Sequence, residues 1–99
     1  MKDDFADRVL DLVERIPPGK VLSYGIIAEI LEEGGPRQVG RVMALEGGAV
    51  AWWRVVRADG SLPPSHGVGA QEHYAIEDTP MRNNGSAVDM KRALWRFDD

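Results

Sequence analysis

Three breakers, Pro17-Pro18-Gly19, Gly34-Gly35-Pro36 and Gly47-Gly48, fall in the first half of the chain and cut it into helical segments of about three turns or fewer. Phe5, Val9, Leu12, Val13 and Ile16 recur at helical spacing with Asp7, Asp11, Glu14 and Arg15 between them, which predicts an amphipathic helix stopped by the first breaker. Val21-Leu22 is a short apolar link, and Ser23 is a good N-cap for a second helix. Tyr24, Ile27, Ala28 and Leu31 make one face of that helix before Gly34-Gly35 stops it. Pro36 suits the first position of a third helix. There Val39, Val42 and Met43 should face a core, with Arg37, Arg41 and Ala44 on the opposite side. Two short helices around a glycine turn, the second with arginines on its outer face, outline a helix-turn-helix.

Beyond Gly47-Gly48 the pattern changes. Trp52–Arg57 is β-prone, and Ala58-Asp59-Gly60-Ser61 is a hairpin-type turn, so this stretch predicts a wing. Residues 68–76 predict a short helix and 78–86 an exposed loop. Ala87–Leu94 offers Val88, Met90 and Leu94 as anchors, with strand and helix both open. The expected fold is mainly α with a small β-hairpin wing, a winged-helix-like helix-turn-helix. It is expected as a single domain over residues 1–99, because a chain this short does not comfortably supply two cores.

The chain has no cysteine, which removes disulfides, cysteine-ligated metals and any thiolate nucleophile. His66 and His73 read as surface or loop residues, and no metal or cofactor is expected. No apolar run approaches the roughly 20 residues that span a bilayer, and the acidic N-terminus is unlike a signal peptide, so a cytoplasmic location is expected. A net charge of −4 argues against nucleic acid until it is resolved along the chain. Residues 36–57 hold Arg37, Arg41, Arg54 and Arg57 against Glu46 alone, a local +3. Such a stretch can engage phosphate while the acidic remainder weakens non-specific sticking. The pairs Asp3-Asp4, Glu32-Glu33 and Asp98-Asp99 read as solvated carboxylates.

Four stretches in register resemble the C-terminal domain of the O6-alkylguanine-DNA alkyltransferases. They are Ile16-Pro-Pro-Gly-Lys-Val-Leu-Ser-Tyr-Gly25, Pro36-Arg-Gln-Val-Gly-Arg-Val-Met43, Trp53-Arg-Val-Val-Arg-Ala-Asp-Gly-Ser61 and the nearby loop glycines. That family's winged-helix-like domain enters the minor groove and flips the damaged guanine into a pocket. In true alkyltransferases the segment before Arg-Val-Val reads Pro-Cys-His-Arg; here it reads Ala51-Trp52-Trp53-Arg54. Trp52 stands at the acceptor position and Trp53 at that of the activating histidine, and an indole is neither a thiolate nor a usable base. The chain is therefore similar to the alkyltransferase-like proteins, which bind the lesion without repairing it and hand it to nucleotide excision repair. The loop Pro63–Ser65 and the tail from Val88 to Trp95 also look like that subfamily, although many of its members keep the histidine.

The resemblance implies roles. Arg37 matches an arginine finger that fills the gap left by the flipped nucleotide, and Tyr24 a tyrosine that crowds its phosphate and helps rotate it. Gly40 and Ala44 matter through smallness on a helix entering a narrow groove. Arg41 is bulkier than the family's usual residue and adds a phosphate contact, and Gln38 completes the expected DNA-contacting set. Trp52 forms a wall of the lesion pocket, lined also by Tyr24. Strand alternation puts Trp53 opposite Trp52, leaving burial and a pocket role both open. Arg54, Val56, Arg57 and Ser61 follow as backbone or pocket supports, and Trp95 as a core anchor. The family's histidine is oriented by a glutamate of the C-terminal helix, whereas Asp89–Leu94 offers none. The implied partners are double-stranded DNA with alkylated guanine and the nucleotide excision repair proteins. The implied agent is a monomer with no membrane role, nucleoid-associated when bound. The competing classes are a suicidal alkyltransferase, which the missing cysteine excludes, a winged-helix regulator reading unmodified sequence in the major groove, and a protein-interaction module.

Overall fold

Each breaker ends a helix or spaces two of them. The computed structural model describes residues 4–63, 66, 69–83 and 85–96. Asp3, Pro64, Ser65, Val68, Asp98 and Asp99, on which some sequence expectations fall, lie outside the described residues. Helix α1 (Asp4–Arg15) buries Val9, Leu12 and Val13 of the expected stripe, with Ile16 continuing it; Phe5 is only partly buried, and Ala6, outside the expected stripe, is buried beside them. The chain then reverses at Gly19, whose φ of +84° favours glycine. A two-residue strand, β1 (Leu22–Ser23), leads into α2 (Tyr24–Leu31), and the Ser23 hydroxyl accepts the Ile26 N–H at 3.1 Å as the expected cap. Helix α2 stops before the glycines: Glu32 takes the left-handed cap at φ 56°, leaving Gly34-Gly35 to shape the turn. Pro36 opens α3 (Pro36–Glu46), the Gly35 N–H is held by Oε1 of Gln38 at 2.9 Å, and Gly47 caps the far end. Val39 and Val42 bury against α1 and α2 in the first core cluster.

The stretch expected as one β-prone segment is mostly not strand. Trp52–Arg54 forms a 3-10 turn, and only Val55–Val56 extends as β2, paired in parallel with β1 in the register Leu22 to Val55 and Ser23 to Val56. The cause is Arg54, whose guanidinium is drawn to the Ile16 carbonyl at 2.8 Å and to Glu77, so the backbone coils to deliver it. The turn at Arg57–Ser61 forms as expected, with the Gly60 N–H donating to the Arg57 carbonyl at 2.8 Å. It closes onto a distant segment: Ser61 bridges Ala87, and the Val88 N–H donates to the Gly60 carbonyl at 2.9 Å.

The antiparallel hairpin lies later, between β3 (Met81–Arg82) and β4 (Ala87–Val88); β3 and the turn fall in the stretch expected to be loop, and β4 begins the stretch left open between strand and helix. Asn83 and Gly85, at φ 54° and 87°, carry its turn. Helix α4 (Gly69–Glu77) forms where a helix was expected. Helix α5 (Met90–Ala93) follows β4 directly, so both conformations open for Ala87–Leu94 occur, one after the other. A second core cluster of Val21, Val56, Ala70, Tyr74, Val88 and Ala93 gathers these later elements. Among the described residues no helix is long and apolar enough to cross a membrane.

Candidate nucleic-acid interface

The outer face of α3 carries the charge. Arg37, Gln38 and Arg41 are exposed there, while Val39 and Val42 anchor the helix from behind. The side-chain amide oxygen of Gln38 accepts the Gly35 N–H, so this residue braces the start of α3 as well as facing solvent. One turn along the same helix, Gly40 and Ala44 open a cleft of about 280 Å³. Tyr24, Met43, Gly47, Gly48, Trp52 and His66 complete its lining. Gly40 and Ala44, four residues apart on α3, share a stripe, and Gly48 follows in the 3-10 turn just beyond the helix. The absence of side-chain bulk along that stripe is what makes the cleft. A Cβ on Gly40 would stand 4.0 Å from the Tyr24 ring.

Tyr24, the first residue of α2, is half-buried; burial pushes its phenol above the usual value, opposed by the charge of nearby Arg57. It stays protonated at neutral pH and can donate a hydrogen bond.

Trp52 stands edge-on to three rings: Trp53 at 5.5 Å, His66 at 5.0 Å and His73 at 5.7 Å between centroids. Its far side lines a second, shallower hollow together with Glu14, Gly48, Trp53 and His73. Trp53 does not oppose Trp52 as strand alternation predicts. Both sit on the 3-10 turn with rings in contact, and Trp53 stacks face to face on His73 at 3.5 Å. Its indole Nε1–H donates to Glu77 at 3.0 Å. Neither histidine is a free surface residue. His66 is buried, with Nε2 2.9 Å from the Val55 carbonyl, and burial lowers its pKa against the raising effect of the Val55 and Trp52 carbonyls, keeping it neutral. Among the described residues no group of three metal-ligating side chains assembles.

The remaining residues expected at the pocket lie behind it. Arg54 is largely buried and occupied: Nε and Nη2 donate to Glu77 at 3.1 and 2.5 Å, and Nη1 to the Ile16 carbonyl. Val56 is wholly buried in the second core, and Ser61 sits in the turn bridged to Ala87. These three hold the scaffold and do not line the cleft.

Sequence reasoning missed Glu77. It lies one residue beyond the expected helix, yet its carboxylate accepts from Trp53, Arg54 and the Gly19 N–H at 2.9 Å. This corrects the expectation that no glutamate backs the histidine position, because the acid comes from α4 and not from Asp89–Leu94. Burial raises the Glu77 pKa, and the hydrogen bonds from Arg54, Gly19 and Trp53 outweigh it, holding the carboxyl below its ordinary value. The available signal was indirect: an arginine directly before a Val-Val strand is buried, and a buried arginine needs an acid.

A helix-turn-helix with arginines outward and a narrow, largely apolar cleft beside them defines a DNA-binding domain of the alkyltransferase type. Residues 4–97 match the 6-O-methylguanine DNA methyltransferase, DNA-binding domain, and the chain belongs to this family, on its alkyltransferase-like branch. A DNA base-flipping protein of Escherichia coli (strain K12) is 30% identical over 102 residues, covering 97% of this chain and 78% of that protein. The fold is similar to that of Atl1 of S. pombe in complex with damaged DNA containing O6-carboxymethylguanine, with a TM-score of 0.79 and 28% identity over 97% of this chain and 99% of that one. A second S. pombe structure, of ATL in complex with DNA, matches with a TM-score of 0.77 and 27% identity over the same shares.

Proposed function

We propose that the chain binds double-stranded DNA containing O6-alkylguanine from the minor groove and flips the damaged base into the cleft between α3 and Trp52. The alkyl group stays on the base, and the bound lesion is handed to nucleotide excision repair. The observation that carries the reading is that cleft, walled by Tyr24, Gly40, Ala44 and Trp52, in a chain without cysteine. The base-flipping relative and the Atl1 complex with an O6-carboxymethylguanine duplex support it.

Arg37 and Arg41 draw the duplex in by phosphate attraction. Gly40 and Ala44 let the α3 backbone approach the groove floor. Arg37, at the start of α3, enters the stack, where a planar guanidinium can both stack and hydrogen-bond to the orphan base. Tyr24 crowds the target phosphate, and Trp52 packs on the extruded base or its substituent. Chemistry stops there: no thiolate is present, and the Trp53 N–H, already given to Glu77, is a donor only. In this reading the protein acts as a cytoplasmic monomer that joins the nucleoid when bound.

Fluorescence anisotropy with matched duplexes tests the proposal. One O6-methylguanine should tighten binding at least about tenfold, or ~1.4 kcal/mol. Equal affinities would overturn it, and tight binding to one particular unmodified site would point to a sequence-reading regulator instead.

A further inference from the structure

Trp52 separates two hollows, and its position matches the family's alkyl acceptor, so in the lesion-reading proposed above the O6 substituent lies beside its ring. Among the described residues neither hollow is lined by a lysine or arginine, and Glu14 lines the second. The sequence from Leu62 to Gln71 contains no charged side chain. At this same end α3 terminates: Gly47 and Gly48 line the cleft, the last turn of α3 has no basic residue, and Glu46 closes it. The carbonyl end of a helix carries partial negative charge, which nothing in that turn offsets. The neighbouring cations are placed elsewhere: the Arg54 guanidinium, 5.4 Å from the Trp53 ring, is paired with Glu77, Arg57 acts on Tyr24, and Arg41 lies more than one turn before the end of α3. His66 on the cleft wall is buried and neutral, and His73 at the second hollow is stacked on Trp53.

We infer that the cleft selects by charge, ranking a neutral O6 substituent above an anionic one of the same size. A carboxylate entering beside Trp52 gives up water without gaining a cationic partner, and it meets the negative end of α3, whose last residue is Glu46, with Glu14 lining the adjoining hollow. An uncharged amide of the same shape loses far less. This sets the chain a specificity of its own within the lesion-reading role, since the Atl1 structure to which it is similar holds the carboxymethyl adduct itself.

Four duplexes of one sequence test this by anisotropy at about 0.1 M salt. They carry guanine, O6-methylguanine, O6-carboxymethylguanine and O6-carbamoylmethylguanine, the last two differing in charge and not in heavy-atom count. The carbamoylmethyl duplex should bind at least about fivefold tighter than the carboxymethyl duplex. The double variant Glu14→Gln/Glu46→Gln, altering two exposed residues, should narrow that ratio to less than about twofold by strengthening carboxymethyl binding. Equal or tighter carboxymethyl binding in the unaltered protein, with both adducts above plain guanine, would overturn the charge selection alone. An O6-methyl duplex no tighter than plain guanine would overturn the lesion reading and this inference with it.

Discussion

The carboxylate of Glu77 accepts the indole N–H of Trp53 at 3.0 Å, across 24 residues of sequence. The same group takes the Gly19 N–H and the fork of Arg54, and Arg54 reaches on to the Ile16 carbonyl. One acid from α4 therefore ties the end of α1, the Pro-Pro-Gly turn and the tryptophan turn together. It sets where the Trp52 wall stands without touching the cleft itself.

Removing that acid is costly. The Arg54–Glu77 pair is mostly buried, at 14% and 9% side-chain exposure, so Glu77→Ala leaves a charge without its partner. The expected loss is about 3 kcal/mol, read from the urea midpoint. The pH dependence follows from the lowered carboxyl pKa. The unfolded chain, near 4.5 at this residue, takes up the proton before the folded one does. The contribution is complete above that value and lost as pH falls through the lower folded value. Glu77→Gln should therefore flatten the decline in melting temperature on the acid side relative to the unaltered chain. An unchanged acid limb would show that the pair adds nothing to folding.

A cysteine alone does not restore transfer. In Trp52→Cys the thiol, near pKa ~8.5, is only a few per cent thiolate at neutral pH, and Trp53 cannot take its proton. Glu77 changes what a second substitution would do. In Trp52→Cys/Trp53→His an imidazole enters beside a carboxylate already placed to orient it. Intact-mass measurement after incubation with O6-methylguanine duplex should show no added methyl on the single variant and slow, stoichiometric addition on the double one. Rapid transfer by the single variant would disprove the account of the missing base.

Gly40→Ala separates folding from binding. Alanine is the better helix former by about 0.8–1 kcal/mol, and the new methyl meets nothing nearer than Tyr24 at 4.0 Å, so stability should hold or rise. The methyl nonetheless enters the cleft and holds α3 off the groove floor. Lesion affinity should fall several-fold while the melting temperature does not. A variant that binds as well as the parent would remove the close-approach argument.

Arg37→Ala should weaken binding to lesion and plain duplex alike, with stability within about 0.5 kcal/mol because the residue is exposed. Arg37→Lys should recover only part of the affinity, since lysine keeps the charge and loses the planar fork. Full recovery by lysine in the same titration would reduce the contact to phosphate attraction.

The helices were legible because their causes are local: the stripe of α1, the Ser23 cap and Pro36 at the first position of α3 each act within a few residues. Trp52–Arg57 was misread because its conformation answers to Ile16 and Glu77, 38 and 23 residues from Arg54. No local periodicity carries that information. The hairpin at Met81–Val88 was hidden for a like reason, since two-residue strands leave no alternation to read. Tyr24, Gly40, Ala44 and Trp52 were singled out by motif, and the structure brings them around one cleft. His66 was passed over because a lone histidine in a glycine-rich loop gives no hint of burial.

Gly60 follows a rule of its own. At φ +88° its Cα faces the Val88 carbonyl so closely that a Cβ would stand 2.1 Å from the oxygen. No side chain is compatible with that approach, so the turn stays latched to β4.

The cleft also lies on a seam. Tyr24 and Met43 pack with the first core cluster and Trp52 with the second, while the neighbours Val55 and Val56 divide between the two. A ligand filling the cleft would therefore be a staple joining two separately packed bodies. Its binding energy would be credited to both, and occupancy would register as a single rise in the unfolding temperature of the whole chain.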